Sequence, residues 1–213
     1  MSYVELMVVL AIFSIMSGVV LFNYQNFQHQ VEIKSLSNDI ALKIVEAQKS
    51  AMSGQLAPPK QMEQAIANWK PSYGLYFSVN TNDRFIYFVD LNNSALSPDL
   101  DNPSYNFQAY DLSTAKCAGL ECLDQIILKK GYTIDSPIII CNIDGSEVEM
   151  PGDLSITFTR PDSSAYIQSP DIQPPGASSC PTSQISRAII NITSSNQTQA
   201  QITVYPSGRI QIN

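Results

Sequence analysis

The chain has 213 residues, a formal net charge of −7, 44% hydrophobic residues and only 15% charged residues. That length fits one domain with an appendage, and the apolar fraction excludes an intrinsically disordered chain. The acidic balance argues against a nucleic-acid-binding protein. One His with four scattered Cys argues against a classical zinc site.

The first 53 residues are predicted to form one long helix. They contain no proline and a single glycine, Gly18, whereas all 13 prolines lie at or after Pro58. Gly54 followed by Pro58 and Pro59 is the expected order of signals at the end of a helix. Such a helix would measure roughly 80 Å, so part of it must project from a domain of this size. We therefore divide the chain into a helix of residues 1–53, with net charge −1, and a head of residues 54–213, with net charge −6.

The first half of this helix has the composition of a membrane segment. Residues 6–31 contain no Asp, Glu, Lys or Arg, and residues 6–22 are almost wholly apolar. Seventeen residues is at the short end of what spans a bilayer. The flanks lack the basic region and the cleavage site of a secretory signal peptide. Residues 1–22 are therefore predicted to be a transmembrane or filament-core helix, with residues 23–53 packed on the head.

Glu5 stands at the edge of the apolar segment. A carboxylate near the centre of a bilayer costs about 2.5–3.5 kcal/mol of free energy. Glu5 therefore either stays hydrated at the membrane surface or forms an ion pair with a cation. The terminal amine is the nearest candidate, from the same chain or from a neighbouring copy. In a staggered bundle such a pair would specify register more than it adds stability.

The stretch from Glu5 to Ile15 (ELMVVLAIFSI) resembles the N-terminal helix of type IV pilins and type II secretion pseudopilins. Members of this family carry Glu at position 5, directly after the site cut by the prepilin peptidase. The resemblance implies that Met1 is the mature N-terminus and is N-methylated. The family's usual first residue is Phe, so Met1 is a departure from its pattern.

Ser14, Ser17 and Gly18 lie in the middle of the segment and have two interpretations. They are ordinary small residues of a membrane helix, or they mark a weak point at which the helix melts in the assembled filament. The second interpretation follows from the resemblance, although Phe22 stands where family members often have Pro.

The second half of the helix carries one apolar stripe with steps of three and four residues. The stripe predicts packing against the head, and it consists of Ile33, Leu36, Ile40, Ile44, Ala47 and Ala51. Residues 35–52 also resemble the same region of pseudopilin H and of FimT-like minor pilins.

The head is predicted to be β-rich and antiparallel, which makes the fold class α+β. β-Branched and aromatic runs alternate with turn residues, and a Ser- and Pro-rich exposed loop is predicted over residues 163–182. A short helix is predicted over residues 61–69. The predicted strands are residues 73–79 and 84–90, which form a hairpin, then 126–128, 132–134, 137–141, 154–159, and a meander of 188–193, 200–205 and 209–212.

The four cysteines are Cys117, Cys122, Cys141 and Cys180. An even number in an exported head predicts disulfides, and three pairings are open. We favour Cys117–Cys122 with Cys141–Cys180, because short local bridges form readily.

Oxygen ligands cluster after the predicted hairpin, at Asp90, Asn92, Asp99 and Asp101. Calcium accepts such loops, but the glycine and the final glutamate of an EF-hand loop are missing, so a solvated loop is the preferred interpretation. His29 is too isolated for a catalytic triad. No catalytic site, metal or cofactor is predicted.

The predicted function is that of a structural subunit of a type IV pilus filament on a bacterial surface. The resemblance implies other pilin subunits, an assembly platform and the prepilin peptidase as partners, with residence in the cytoplasmic membrane before assembly. It also implies adhesion, twitching motility or DNA uptake, with a host surface or DNA as the target. The alternatives are a minor pilin or pseudopilin, and a membrane-anchored binding module that never polymerises.

Overall fold

The structure is a computed structural model that describes residues 2–62, 70, 72–91, 122–143, 145–169, 180 and 182–213. Within these residues the chain has two α-helices and two antiparallel sheets. The predicted α+β class with antiparallel sheets is confirmed.

Helix α1 has helical backbone from Tyr3 to Met52. It ends in a Schellman motif, in which Gln55 N–H donates to Ser50 O and Gly54 N–H to Ala51 O, both at 3.0 Å. Gly54 adopts φ +67, which a residue with a side chain rarely takes, so the predicted helix end is confirmed. Helix α2 spans Pro59–Met62. The short helix predicted over residues 61–69 lies largely outside the described residues.

The first sheet has five strands in the order β3-β2-β1-β7-β8. The predicted hairpin is present with a tighter turn than expected, since the first two strands are separated only by Val79 and Asn80. The strands are β1 (Ser72–Ser78), β2 (Thr81–Val89), β3 (Cys122–Ile127), β7 (Leu154–Thr159) and β8 (Ala165–Gln168).

The second sheet has six strands, in the order β11-β10-β9-β5-β6 with β4 also paired to β9. Its last three strands form the predicted meander. The strands are β4 (Tyr132–Ile134), β5 (Ile138–Ile143), β6 (Ser146–Pro151), β9 (Ile185–Ser194), β10 (Gln199–Val204) and β11 (Ile210–Ile212). A 3₁₀ turn at Thr182–Gln184 precedes β9.

The prediction of an exposed loop over residues 163–182 is wrong for the residues of β8. Ala165 and Ile167 point inward and are buried, because the short alternation Ala-Tyr-Ile-Gln pairs with β7. The four-residue pattern is too brief to stand out in a Ser- and Pro-rich stretch. Strand β6 was not predicted either, since an exposed edge strand of sequence SEVEMP carries little apolar signal.

The predicted stripe of α1 forms the centre of the core. Ile33, Ile40, Ile44, Ala47 and Ala51 are at most 2% exposed, and Leu36 packs against them in part. They face strands of both sheets, β1 and β7 in the first and β9, β10 and β11 in the second. The predicted packing of this stripe on the head is confirmed, whereas the predicted boundary at residue 23 stays a prediction.

Gln48 joins α1 to both sheets through one amide. Its Nε2 donates to Ser163 O at 2.9 Å, just before β8, and lies 3.4 Å from Gly208 O in the turn before β11. The helix therefore makes apolar contact with each sheet and polar contact with one connection of each.

Candidate assembly surface

The N-terminal apolar segment, defined as residues 3–16, is uncovered on all sides. Eleven large apolar side chains of this segment have exposed fractions from 51% to 75%. Soluble monomers rarely expose contiguous apolar patches above about 600 Å², and larger ones mark sites that contact protein or lipid. The segment is therefore a candidate surface for contact with protein or lipid.

Glu5 lies at the start of this segment and accepts a hydrogen bond from the backbone of Ser2, with 3.2 Å between Ser2 N and Glu5 Oε2. Ser2 is the N-cap of α1, so the carboxylate satisfies one of the amides that a helix leaves free at its beginning. A negative charge there also interacts favourably with the helix dipole. Met1, the predicted mature N-terminus, lies outside the described residues.

The residues of the predicted weak point are helical in this structure. Ser14 Oγ donates to Leu10 O at 2.9 Å, a bond that competes with the helix ladder and often bends helices. A Cβ built on Gly18 would meet nothing within 4 Å. Ser17 is half-buried. Melting of Ser14, Ser17 and Gly18 in a filament stays a prediction.

Among the described residues, no helix is both long and apolar enough to cross a bilayer. The predicted span of residues 6–22 runs past Gly18 into residues 19–22, whose side chains lie outside the described part. Its membrane role stays a prediction.

A second uncovered apolar surface lies on the docked half of α1 and was missed in the sequence. We call it the outward stripe, formed by Leu42, Val45 and Met52 on the side of the helix away from the core. Leu42 is 64% exposed, although Ile44, two positions on, is fully buried. The spacing of these side chains, three and then seven residues apart, was the sequence signal that could have identified this surface. Tyr24, Phe27 and Val31 continue the same row and are also exposed.

Apolar grooves flank the outward stripe on both sides. One has a volume of about 480 Å³ and lies between α1 and the end of β3, where Ile127 is 63% exposed. The other, also about 480 Å³, lies between Ala41, Val45 and the two isoleucines of β11, Ile210 and Ile212. Together they widen the stripe into a shallow apolar face.

Glu32 fastens the helix to the head. Its carboxylate accepts from Tyr132 Oη at 2.6 Å and from Gln28 Nε2 at 3.2 Å, and Lys129 Nζ lies 3.3 Å away. The Tyr132 bond, followed by those from Lys129 and Gln28, lowers the pKa of Glu32 below its ordinary value. Burial and the Glu32 carboxylate raise the pKa of Tyr132 to about 12.

The disulfide Cys141–Cys180 is present, with the two Cα atoms 6.0 Å apart. It ties β5 to the residues before β9, and this predicted pairing is confirmed. Cys122 is also disulfide-bonded, and its predicted partner, Cys117, lies outside the described residues.

Asp90 is the one member of the calcium candidate within the described residues, and it is buried directly after β2. Asn92, Asp99 and Asp101 lie outside them. No group of three metal-binding side chains occurs in the part of the chain that the structure describes.

Comparisons with family models, with curated proteins and with solved structures find no match for this chain.

Proposed function

We propose that this protein is the structural subunit of a type IV pilus-like filament. The observation that carries the proposal is the division of α1 into two unlike parts. Residues 3–16 are apolar and uncovered, whereas Ile33 to Ala51 supply the core of the head. A soluble protein gains nothing from the first part, because apolar surface left in water costs about 25 cal/mol per Å².

In this proposal α1 acts as one long helix with two tasks. The apolar half lies in the cytoplasmic membrane before assembly and then exchanges lipid for the helices of neighbouring subunits. Glu5 pairs with the terminal amine of an adjacent subunit and guides docking. The heads form the outer surface of the fibre, where they serve adhesion, twitching motility or DNA uptake.

The exposed position of Glu5 supports this mechanism. In the isolated chain its carboxylate has only a backbone amide of Ser2 among the described residues as a partner. A carboxylate drawn into an apolar bundle loses hydration and needs a full positive charge in compensation. A neighbour's amine supplies that charge only when the two subunits are in register, so docking and neutralisation occur together.

The test is the substitution of Glu5 by Ala in the full-length protein, expressed in cells that lack the original copy. We expect membrane-associated protein at normal levels and the loss of surface filaments in electron microscopy of sheared cells. Replacement of Glu46, an exposed acid on the docked half, by Ala is the matched control and leaves filaments intact. Normal filaments made from the Glu5 variant would overturn the proposed mechanism.

The same preparation separates the alternative functions. Mass spectrometry that finds this chain as the main component of the fibres identifies a major pilin. A trace amount in fibres built from another chain identifies a minor pilin or a pseudopilin. Retention in the membrane with no fibres identifies an anchored binding module.

A further inference from the structure

We infer that Lys129 and Lys130, in the turn between β3 and β4, contact anionic lipid headgroups and hold the head on the membrane before assembly. We call these two residues the lysine pair. The inference rests on the proposed function, in which the apolar half of α1 lies in the membrane, and it names a partner of the head in that state.

The lysine pair lies where α1 leaves the head. Lys129 Nζ is 3.3 Å from Glu32 Oε1, and Tyr132, just after the turn, donates to Glu32 Oε2 at 2.6 Å. Ile33, the next residue of α1, is the first of the described side chains of this helix that is buried. The two contacts therefore fix the turn to α1 at the end of the head that faces the N-terminal apolar segment.

The turn carries a surplus of positive charge, although the head as a whole is acidic. The lysine pair is the only place in the sequence where two basic residues are adjacent. The Lys129 side chain is 71% exposed, and Lys130 is exposed and makes no ion pair with any described residue. Glu32 offsets one of the two charges. Asp83, on the neighbouring strand β2, is already paired with Arg84 at 2.7 Å.

The groups around the lysine pair add no further acid at this level. Ser195 N–H donates to Gly131 O at 2.8 Å, so the turn between β9 and β10 lies beside the pair. Residues 195–198 of that turn are Ser, Asn, Gln and Thr, which carry no charge. Lys34, two residues beyond Glu32, is also exposed. Asp39, the next acid along α1, lies roughly 10 Å farther from the N-terminal apolar segment than Glu32. An anionic surface would therefore meet the pair without repulsion from its neighbours.

The length of the uncharged part of α1 sets the height of the lysine pair above the membrane. Residues 6–31 carry no Asp, Glu, Lys or Arg and measure roughly 39 Å at about 1.5 Å per residue. The hydrocarbon core of a bilayer is about 30 Å thick, and about 40–45 Å with both headgroup layers.

With Glu5 at the inner boundary of the core, the outer boundary falls at about residue 25. Tyr24 and Phe27 are exposed there, and aromatic side chains such as Tyr favour this interface. Glu32 then lies roughly 10 Å beyond the core. The lysine side chains beside it are within a Debye length, about 8–10 Å, of the headgroups.

The test measures the acylation rate of each lysine in the full-length protein in lipid nanodiscs, whose two faces are both open to solution. Discs of phosphatidylcholine alone are compared with discs of equal parts phosphatidylcholine and phosphatidylglycerol. The acylating reagent is uncharged, so the surface does not repel it, and peptide mass spectrometry gives the rates.

We expect Lys130 to react about fivefold more slowly in the anionic discs, a ratio that corresponds to about 1 kcal/mol for a lysine near such a surface. Lys129 should be slowed in the same direction. High salt should remove the difference, because the Debye length falls to about 3 Å at 1 M. Lys49, exposed on α1 roughly 25 Å farther from the membrane than Glu32, is the internal control and should react equally in both discs. Equal rates for Lys130 in the two kinds of disc would overturn the inference.

Removal of the two charges provides an independent measurement. A nitroxide on the lipid headgroup broadens the NMR signals of nearby amides, and Asn196 and Gln197 in the neighbouring turn are exposed reporters. We expect stronger broadening of both in anionic discs than in neutral discs. The double variant Lys129→Gln with Lys130→Gln should lose this difference, whereas the matched control Lys49→Gln keeps it. A difference that persists in the double variant would contradict the role of the lysine pair.

The outcomes separate the inference from the proposed function. A chain that enters the discs but shows equal lysine rates contradicts the lipid contact and leaves the pilin proposal standing. A chain that does not enter the discs contradicts residence in the membrane and therefore both. Slowing of the lysine pair by a short DNA duplex in neutral discs, with none in anionic discs, would identify a nucleic-acid contact and overturn the inference.

Discussion

The phenolic oxygen of Tyr132 lies 2.6 Å from Glu32 Oε2, across 100 residues of sequence, and donates a hydrogen bond to it. This contact joins helix α1 to strand β4 close to the point where α1 leaves the head. Glu32 has a pKa below its ordinary value of 4.5 chiefly because of this bond.

The first prediction concerns the titration of Glu32. In Tyr132→Phe the carboxylate loses its main donor, so its pKa should rise toward 4.5. A carboxylate with a lowered pKa stabilises the folded state above its unfolded pKa, and the effect disappears as pH falls through the folded value. Carboxyl-detected NMR of the full chain in detergent measures the shift. An unchanged pKa in the variant would show that Tyr132 is not the main cause.

The second prediction compares two neighbouring aliphatic residues of α1. Ile44 is fully buried, so Ile44→Ala leaves a cavity and should lower the free energy of unfolding by about 2–5 kcal/mol. Leu42→Ala is the control on the exposed side and should change it by less than about 0.5 kcal/mol. Urea unfolding of the detergent-solubilised protein gives both values, and equal effects would contradict the assigned faces of the helix.

The third prediction compares the effect of alanine substitutions at two glycines. A Cβ at Gly74 would lie 2.5 Å from Ile156 O and 2.6 Å from Phe88 Cζ. Gly74→Ala must therefore displace neighbouring strands and should cost about 1–3 kcal/mol. Gly18→Ala meets no atom within 4 Å and should make the helix more stable by about 1 kcal/mol. Thermal unfolding followed by circular dichroism tests Gly74, and helix content reports on Gly18.

The Gly18→Ala variant also tests the predicted melting of α1. If the helix has to unwind at Ser14, Ser17 and Gly18 on assembly, a stiffer helix should reduce the filament yield while leaving the free subunit folded. Unbroken helical density through these residues in a filament map would reject melting.

The fourth prediction concerns the disulfide of the head. Cys141 and Cys180 are 39 residues apart, and opening a loop of that length should cost about 4 kcal/mol in the chain-entropy description. Cys141→Ser together with Cys180→Ser should lower the melting temperature, and reductant should lower it further because it also opens the disulfide of Cys122. Peptide mapping without reduction is the control, and it also tests Cys117–Cys122.

The parts of the fold predicted correctly from the sequence had strong periodic signals. The stripe from Ile33 to Ala51, the helix end at Gly54 and the strand at residues 154–159 each depend on local sequence. The predicted strands 126–128 and 132–134 lie only three residues apart in the chain. In the structure β3 and β4 belong to different sheets, because β4 pairs with β9, some 60 residues away. Such pairing depends on contacts that no short sequence window contains.

The candidate surface was predicted only in part. Glu5 and the apolar segment are visible in composition alone. The outward stripe was not predicted: the spacing of Leu42, Val45 and Met52 places them off the core stripe, but it does not tell whether another part of the head covers them. Exposure on a helix depends on the position of the partner, which periodicity leaves undetermined.

The amide of Gln48 reaches carbonyls in the connections just before β8 and β11, one strand from each sheet. The head is thus not a self-sufficient body to which a stalk has been added, since its own centre comes from residues 33–51. A recombinant version that begins after Met52 would remove the helix residues of the core and expose the strands that they cover. A truncated protein should begin before Gln28. It then keeps the contacts of Glu32 with the head and lacks the N-terminal apolar segment.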